Sequence, residues 1–396
     1  MRVLHVVTLH TPTHAFGGPT RVALNLCRSL RAGGDEAVVL ALGDGFAEDG
    51  GGGPAESLPR RVEGVPVKLF PARHVLPRFE VSGITSPALL ANAPAYLRSA
   101  DIVHVHLMRD LVTLPVALLA LALRRPLVLQ THGMVDPTDK PPARLVDVLG
   151  TRRVLREADA LLYLTEGERR ATAEVVAPAP LAPAHRLVNG VPERPEPRAG
   201  EPGRPPTILF AARVQRVKRP RDFVTAIPTV LEKVPDARFL MAGPDTGPLA
   251  DEMLALADRL GVADSLEYLG ALDHDELLSR MQEADVYVLP STFEPFAVSI
   301  LEAMSVGLPV VVTRTGGLSP DVAASGAGRV VDSDPAEDAD NGGAVGRAIL
   351  ELLEPEAHAE ASAAGPALIA ERFTDGIVAD TLRGVYREVL ARRAAG

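Results

Sequence analysis

Apolar residues along the chain gather in short runs, and the segments between them carry helical spacing. Val3–Thr8 reads as a buried strand. After a loop holding Gly17 and Gly18, the residues Val22, Ala23, Leu26, Cys27 and Leu30 recur on one helical face. Pro19 suits the first turn of that helix and Gly33–Gly34 its end. Val38–Leu42, Asp101–Leu107, Pro126–Thr131 and Ala160–Thr165 continue the strand pattern, and a last strand is expected around Leu187–Val188. Strands alternating with helix-length segments imply right-handed crossovers and a parallel sheet. Gly43–Pro54, dense in glycine and acids, is expected as a surface loop.

Proline then crowds the chain from Ala177 to Pro206, and Val191–Pro206 reads as a linker between domains. Beyond it the pattern restarts. Strands are expected at Thr207–Ala211, Ala237–Ala242, Leu266–Leu269, Val286–Leu289 and Pro309–Thr313, with helices between them. Asp332–Gly343 is expected as a second loop. Ile377, Leu382, Val385 and Leu390 give a final amphipathic helix. The fold class is therefore α/β, with two Rossmann-like parallel-sheet domains facing an inter-domain cleft. The expected domains are residues 1–190, a linker at 191–206, residues 207–370, and a C-terminal helix at 371–396. Ligands of such sheets collect at the carboxyl ends of strands.

Composition narrows the function classes. The chain has 396 residues and a formal net charge of −10, which argues against a general nucleic-acid binder. Residues 1–190 carry 21 Lys and Arg against 18 Asp and Glu, while residues 191–396 carry 20 against 33. Inside that acidic half, Arg213, Arg216, Lys218, Arg219 and Arg221 form a basic cluster with no acid among them. It reads either as a site for a bound anion or as a solvated helix start. A single cysteine, Cys27, excludes a disulfide framework and suits a reducing compartment. The N-terminus shows no secretory signal, and the longest apolar run, Leu111–Leu123, contains a proline and is too short to span a bilayer. It reads as a buried helix, in a cytoplasmic protein whose membrane association is at most peripheral.

No G-x-G-x-x-G opens a helix after a strand, and no G-x-x-x-x-G-K-[ST], H-E-x-x-H or G-x-S-x-G occurs. Asp273 and Asp275 read as helix caps rather than metal ligands, and the pairs Asp332/Asp334 and Asp338/Asp340 fall in the acidic loop. The most specific stretch runs from Phe293 to Glu302, FEPFAVSILE, followed by AMSVGLPVVVTRTGG. Glu294 falls in the loop after the strand Val286–Leu289. A helix is expected to start near Phe296 or Ala297, placing Glu302 in its second turn. Two carboxylates so placed can face one ligand and accept hydrogen bonds from a sugar diol, while the helix start offers free N–H groups to a phosphate. The plain alternative makes Glu294 a turn residue and Glu302 an exposed helix glutamate.

With these residues in view, the chain resembles the retaining GT-B glycosyltransferases of family 4. The resemblance runs nearly end to end, through Gly17-Gly18-x-x-Arg-Val, Thr131-His-Gly, Asn189-Gly-Val, Ala212-Arg-Val-x-x-x-Lys218, Gly243, Gly270 and Glu294 to Gly317. It implies an acceptor-binding first domain and a donor-binding second domain, with the C-terminal helix packing back on the first. Arg213 and Lys218 match the pair that clamps the donor diphosphate. Glu294 matches the carboxylate at the sugar, and Glu302 the one that holds the ribose. Gly17 and Gly18 match a loop near the donor, and His132 matches an active-site histidine. Gly243, Phe296, Ala297 and Val298 complete the implied donor site.

Arg216, Arg219 and Arg221 have no counterpart and read as solvated. Asp136 reads as a turn residue before Pro137, and His104 and His106, alternating with Val103 and Val105, read as structural. The chain departs from the family pattern at Ala297 and Arg219, each standing where glycine is common.

The function so implied is transfer of a hexosyl group from a nucleoside diphosphate sugar, UDP favoured, to an acceptor hydroxyl with retention, without metal or other cofactor. The acceptor can be a glycan, a lipid-linked precursor or a small metabolite. The alternatives are a nucleotide-sugar epimerase of the same shape and a non-catalytic two-lobed binding protein.

Overall fold

The computed structural model describes all residues except 12–17, 46–57, 194–203, 246, 335, 337–338 and 396. Two compact units emerge: Met1–Asn189 together with Asp375–Gly396, and Gly190–Thr374.

The first unit holds β1 (Arg2–His10), β2 (Glu36–Gly43), β3 (Arg61–Val62), β4 (Val65–Pro71), a small ribbon of β5 (Arg73–His74) and β6 (Ile84–Thr85), then β7 (Ile102–His106), β8 (Leu127–Gln130), β9 (Ala160–Tyr163) and β10 (Ala184–Arg186). Its main sheet has the order β10-β9-β8-β7-β1-β2-β4-β3 and is parallel except for the β3–β4 pair. Side chains alternate across it. Leu4 and Val6 of β1 enter one apolar cluster with the helices Pro87–Ser99 and Thr113–Ala122. Val3 and Val7 enter another beneath the helices Gly18–Ala32 and Asp375–Ala395. The latter helix buries Val378, Leu382, Val385, Tyr386 and Val389 in this unit. At about 2 kcal/mol per buried aliphatic side chain, that face is worth about as much as a typical domain's whole net stability.

The second unit holds β11 (Thr207–Ala211), β12 (Arg238–Ala242), β13 (Leu266–Gly270), β14 (Val286–Leu289), β15 (Val310–Thr313) and β16 (Gly328–Val331). All pairs are parallel, in the order β13-β12-β11-β14-β15-β16. Counted along the chain this is the 3-2-1-4-5-6 order of a dinucleotide-type sheet, and its topological switch lies between β11 and β14.

Several expectations shift. The strand expected near Leu187–Val188 forms instead at Ala184–Arg186. β4 and β16 were not expected, and both extend their sheets at or near an edge. Much of the Gly43–Pro54 loop and of the 191–206 linker lies outside the described residues. Within the final helix Ile377 is exposed, so the packed face is rotated from the one expected. The apolar run does form a buried helix, Thr113–Ala122. No helix among the described residues is long and apolar enough to cross a membrane.

Candidate active site

In the second unit, the loops leaving β11 and β14 flank the switch point. The β11 loop carries Arg213 and a single 3-10 turn, Arg216–Lys218. Its course is fixed by backbone bonds from Ala212 N to Ala242 O (3.1 Å) and Val214 N to Pro244 O (3.0 Å). Thr292 N donates to Val217 O at 2.9 Å, tying this loop to the one after β14. Gly243, at φ +136°, lies so close to the β11 loop that a Cβ would fall 1.8 Å from Ala212 O. Only glycine fits there.

Lys218 Nζ contacts the Glu294 carboxylate directly, and both side chains are largely buried. Glu294 is held from the other side by Gly317 N, which donates to its carbonyl at 2.8 Å. Arg213 is exposed and makes no hydrogen bond or ion pair with the described residues. One basic group is thus paired with an acid, and its neighbour is free to meet an anion.

Glu302 sits on the helix Val298–Ser305, one residue later than the expected start, with Ala297 as N-cap and no side chain capping it. Its carboxylate lies 3.6 Å from His274 Nδ1. Burial raises the pKa of the Tyr287 phenol above its ordinary value, and the charges of Glu302 and Glu294 push it the same way. Both carboxylates therefore act on one buried hydroxyl, which donates to Ala211 O and bonds Ser299 Oγ, each at 2.8 Å. Phe296 is buried, its ring 6.1 Å from that of Phe373, so it offers a ligand its backbone rather than its ring. Ala297 is buried and Val298 half-buried at the helix start.

Arg219 corrects the sequence reading. It is buried, not solvated. At φ 56° it takes the left-handed conformation that explains glycine's frequency at this position. Its guanidinium forks onto Asp222 at 2.8 and 3.0 Å and donates to the carbonyls of Ala336 and Ala339 at 2.7 Å each. Arg216 lies 3.7 Å from Glu252, and Arg221 is exposed. Asp273 caps the helix His274–Glu283 in a capping box with Glu276.

In the first unit, His132 follows β8 at φ 52°, with Gly133 at φ 72°. Glu168, unremarked in the sequence, holds this turn. One carboxylate oxygen accepts from Thr131 Oγ1 and Gly133 N, the other from Leu164 N, all at 2.7 Å. The signal was present as Thr165-x-x-Glu168, a helix-start pattern. Thr165 does cap the helix Glu166–Val176. Burial lowers the His132 pKa to about 3, so the ring is neutral. Its Nε2 lies 2.7 Å from His106 Nδ1. Gly18 opens the helix after β1, where a Cβ would meet nothing within 4 Å, and Gly17 lies outside the described residues. The Asp136 carbonyl accepts from Arg109 Nη2 at 2.6 Å, as suits a turn.

Comparison with known proteins meets this geometry. The second unit matches the glycosyl transferases group 1 model over residues 193–365, and the first matches a glycosyl transferase 4-like domain over residues 17–190. A D-inositol 3-phosphate glycosyltransferase of Stackebrandtia nassauensis is 30% identical over 285 residues, covering 66% of this chain and 61% of that protein. One from Corynebacterium jeikeium is 28% identical, covering 64% and 65%. The matched stretch thus spans under two thirds of either relative's length. Among solved structures, sucrose-phosphate synthase from Thermosynechococcus elongatus aligns with TM-score 0.73 at 18% identity, over 99% of this chain and 100% of that one. HepE of Anabaena in complex with UDP and glucose aligns with TM-score 0.72 at 17% identity, over 98% and 100%. These likenesses carry the fold, the GT-B pairing of two Rossmann-like domains. By the two domain models together, which span nearly all of it, the chain belongs to the group 1 glycosyl transferases, with a glycosyl transferase 4-like first domain.

Proposed function

We propose that the protein is a retaining glycosyltransferase that moves a hexosyl group from a nucleoside diphosphate sugar, UDP-sugar in the first instance, to an acceptor hydroxyl. The observation that carries this reading is the Lys218–Glu294 contact across the sheet's switch point, with an exposed Arg213 on the same loop as Lys218 and Glu302 near the same buried phenol. In this reading Arg213, Lys218 and the uncapped amides at Val298 and Ser299 hold the diphosphate. Glu294 takes sugar hydroxyls, Glu302 takes the ribose diol, and Gly243 leaves room for backbone approach. HepE, of similar fold, was crystallised with UDP-glucose.

The chemistry follows from charge. The bond from the anomeric carbon to the diphosphate oxygen breaks, its electron pair leaves with the phosphate, and the sugar gains oxocarbenium character. Fixed cations stabilise the leaving group, and they do so without a metal in this proposal. The acceptor oxygen bonds the same face of the anomeric carbon, and its proton passes to the departing phosphate oxygen. His132 is a catalytic residue in this reading. The acceptor class, a glycan, lipid-linked precursor or small metabolite, stays as broad as the residues leave it. A cytoplasmic setting is supported by the single buried thiol of Cys27, and any membrane contact is proposed to be peripheral.

The test is thermal unfolding with UDP, GDP and dTDP, followed by UDP-glucose turnover with the anomer of the product read by NMR. Binding of one diphosphate raises the unfolding temperature by mass action. No shift with any of the three removes the donor site from the proposal, and an inverted anomer removes retention.

A further inference from the structure

Four imidazoles converge in the first unit. His5 on β1 and His104 and His106 on β7 point to the same sheet face as Val3 and Ile102, and all three are buried. The rings of His104 and His106 stack at 4.6 Å, and those of His106 and His132 at 5.0 Å. His5 Nδ1 lies 3.1 Å from His106 Nε2, and His106 Nδ1 lies 2.7 Å from His132 Nε2. His104 stands beside this chain and bonds the Tyr386 hydroxyl through Nδ1 at 2.7 Å. The expectation that His104 and His106 are only core residues misses the link from His106 to His132.

Counting protons restricts the chain His5–His106–His132 sharply. A neutral imidazole has one donor and one acceptor nitrogen, and burial keeps these rings neutral. Each of the two contacts holds one hydrogen, so fixing one ring fixes the other two. In one pattern every Nε2 carries hydrogen, and the His5 Nε2–H is left pointing at nothing. In the other every Nδ1 carries hydrogen, and His5 Nε2 is an unused lone pair. His5 Nε2 is buried and has no partner. A buried N–H without an acceptor is the rarer and costlier defect, so the second pattern prevails.

We infer that His5 and His106 are positioning residues that lock His132 in its Nδ1–H tautomer, so that this nitrogen, which has no partner among the described residues, serves the reaction as a hydrogen-bond donor to a ligand oxygen. What His132 donates to rests on the proposed glycosyl transfer; the tautomer does not.

Long-range proton–nitrogen correlation spectra of the full chain labelled with 15N-histidine read the pattern directly. Nδ1–H at His5, His106 and His132 is expected, with nitrogen–nitrogen coupling across the His106–His132 bond. Nε2–H at His132 overturns the assignment. So does a stoichiometric divalent ion bound by these nitrogens, since it would take the lone pairs the chain needs. The variant H106D supplies an acceptor and should turn His132 to Nε2–H. It should leave UDP affinity unchanged and lower UDP-glucose turnover about tenfold, the worth of one hydrogen bond. Unchanged turnover in a flipped H106D overturns the donor role. If wild-type protein shows the expected tautomers but turns over no nucleotide sugar, the functional reading has failed and the tautomer lock stands.

Discussion

Lys218 and Glu294, 76 residues apart in sequence, meet in an ion pair that joins the loops leaving β11 and β14. Each restrains the other's side chain before any ligand arrives. A diphosphate at Arg213 would compete with Glu294 for Lys218, releasing the carboxylate toward the sugar. K218A is expected to weaken UDP binding by about tenfold or more, the value of a charged hydrogen bond. E294Q should bind UDP at least as tightly as wild type and lose turnover. Calorimetric titration with UDP, set beside UDP-glucose turnover, separates the two, and equal loss of binding in both variants contradicts the division of labour.

Arg219 should resist replacement by the glycine common at its position. R219G removes the left-handed strain, worth about 1 kcal/mol. It also leaves the buried Asp222 carboxylate without its countercharge, held only by Asn341, and takes a donor from the carbonyls of Ala336 and Ala339, at about 3 kcal/mol. A net fall in urea midpoint is expected, partly recovered in R219G/D222A. A more stable R219G would show that the guanidinium contributes little.

Glu168 accepts three hydrogen bonds, so its carboxylate is not interchangeable with an amide. E168Q turns an NH2 toward either Leu164 N or the Thr131–Gly133 pair, setting donor against donor. A loss of about 1–2 kcal/mol is expected for E168Q and about 3 kcal/mol for E168A, read by thermal or urea unfolding. The His132 turn should loosen in both.

The buried histidines set the acid limit of the first unit. Burial lowers His5 and His132 from 6.5 to about 3 and takes His104 and His106 well below their ordinary value. Between about pH 6.5 and 3 the unfolded chain binds protons that the folded chain refuses, so stability falls as pH falls through that window. Each ring adds a slope of up to about 1.4 kcal/mol per pH unit. Acid unfolding should therefore begin near pH 6, before most carboxylates titrate. Replacing His104 with Phe should shift the midpoint to lower pH, and urea midpoints between pH 8 and 4 measure it.

Much of this was legible in the sequence wherever one period dominated. The central strands carry unbroken apolar runs, and the second sheet's first five were expected in place, with boundaries shifted by a residue or so. β4 escaped because VPVKLF follows a glycine-rich stretch and carries Lys68, while β16 is four residues with only two buried. The placing of Glu294 and Glu302 about a helix start marked the two acids, and the charge pattern marked Arg213, Arg216, Lys218, Arg219 and Arg221 as one cluster. It could not separate Lys218, facing a carboxylate at the switch point, from Arg219 next to it, whose backbone turns its side chain into the core. The histidine chain was invisible for a related reason. Alternation told that His104 and His106 share a face, but not that β1 brings His5 opposite them or that His132 leans back onto His106.

The last helix completes the first unit, although the chain reaches it only after building the whole of the second. During synthesis, the apolar cluster of Val3, Val7 and Ile102 waits under the helix Gly18–Ala32 alone while Gly190–Thr374 is made. A nascent chain halted at Thr374 would own a finished second unit and a first unit with its greasy flank open to chaperones, proteases or its own kind. The order of synthesis thus holds back the His104–Tyr386 contact until the whole of the second unit has been made.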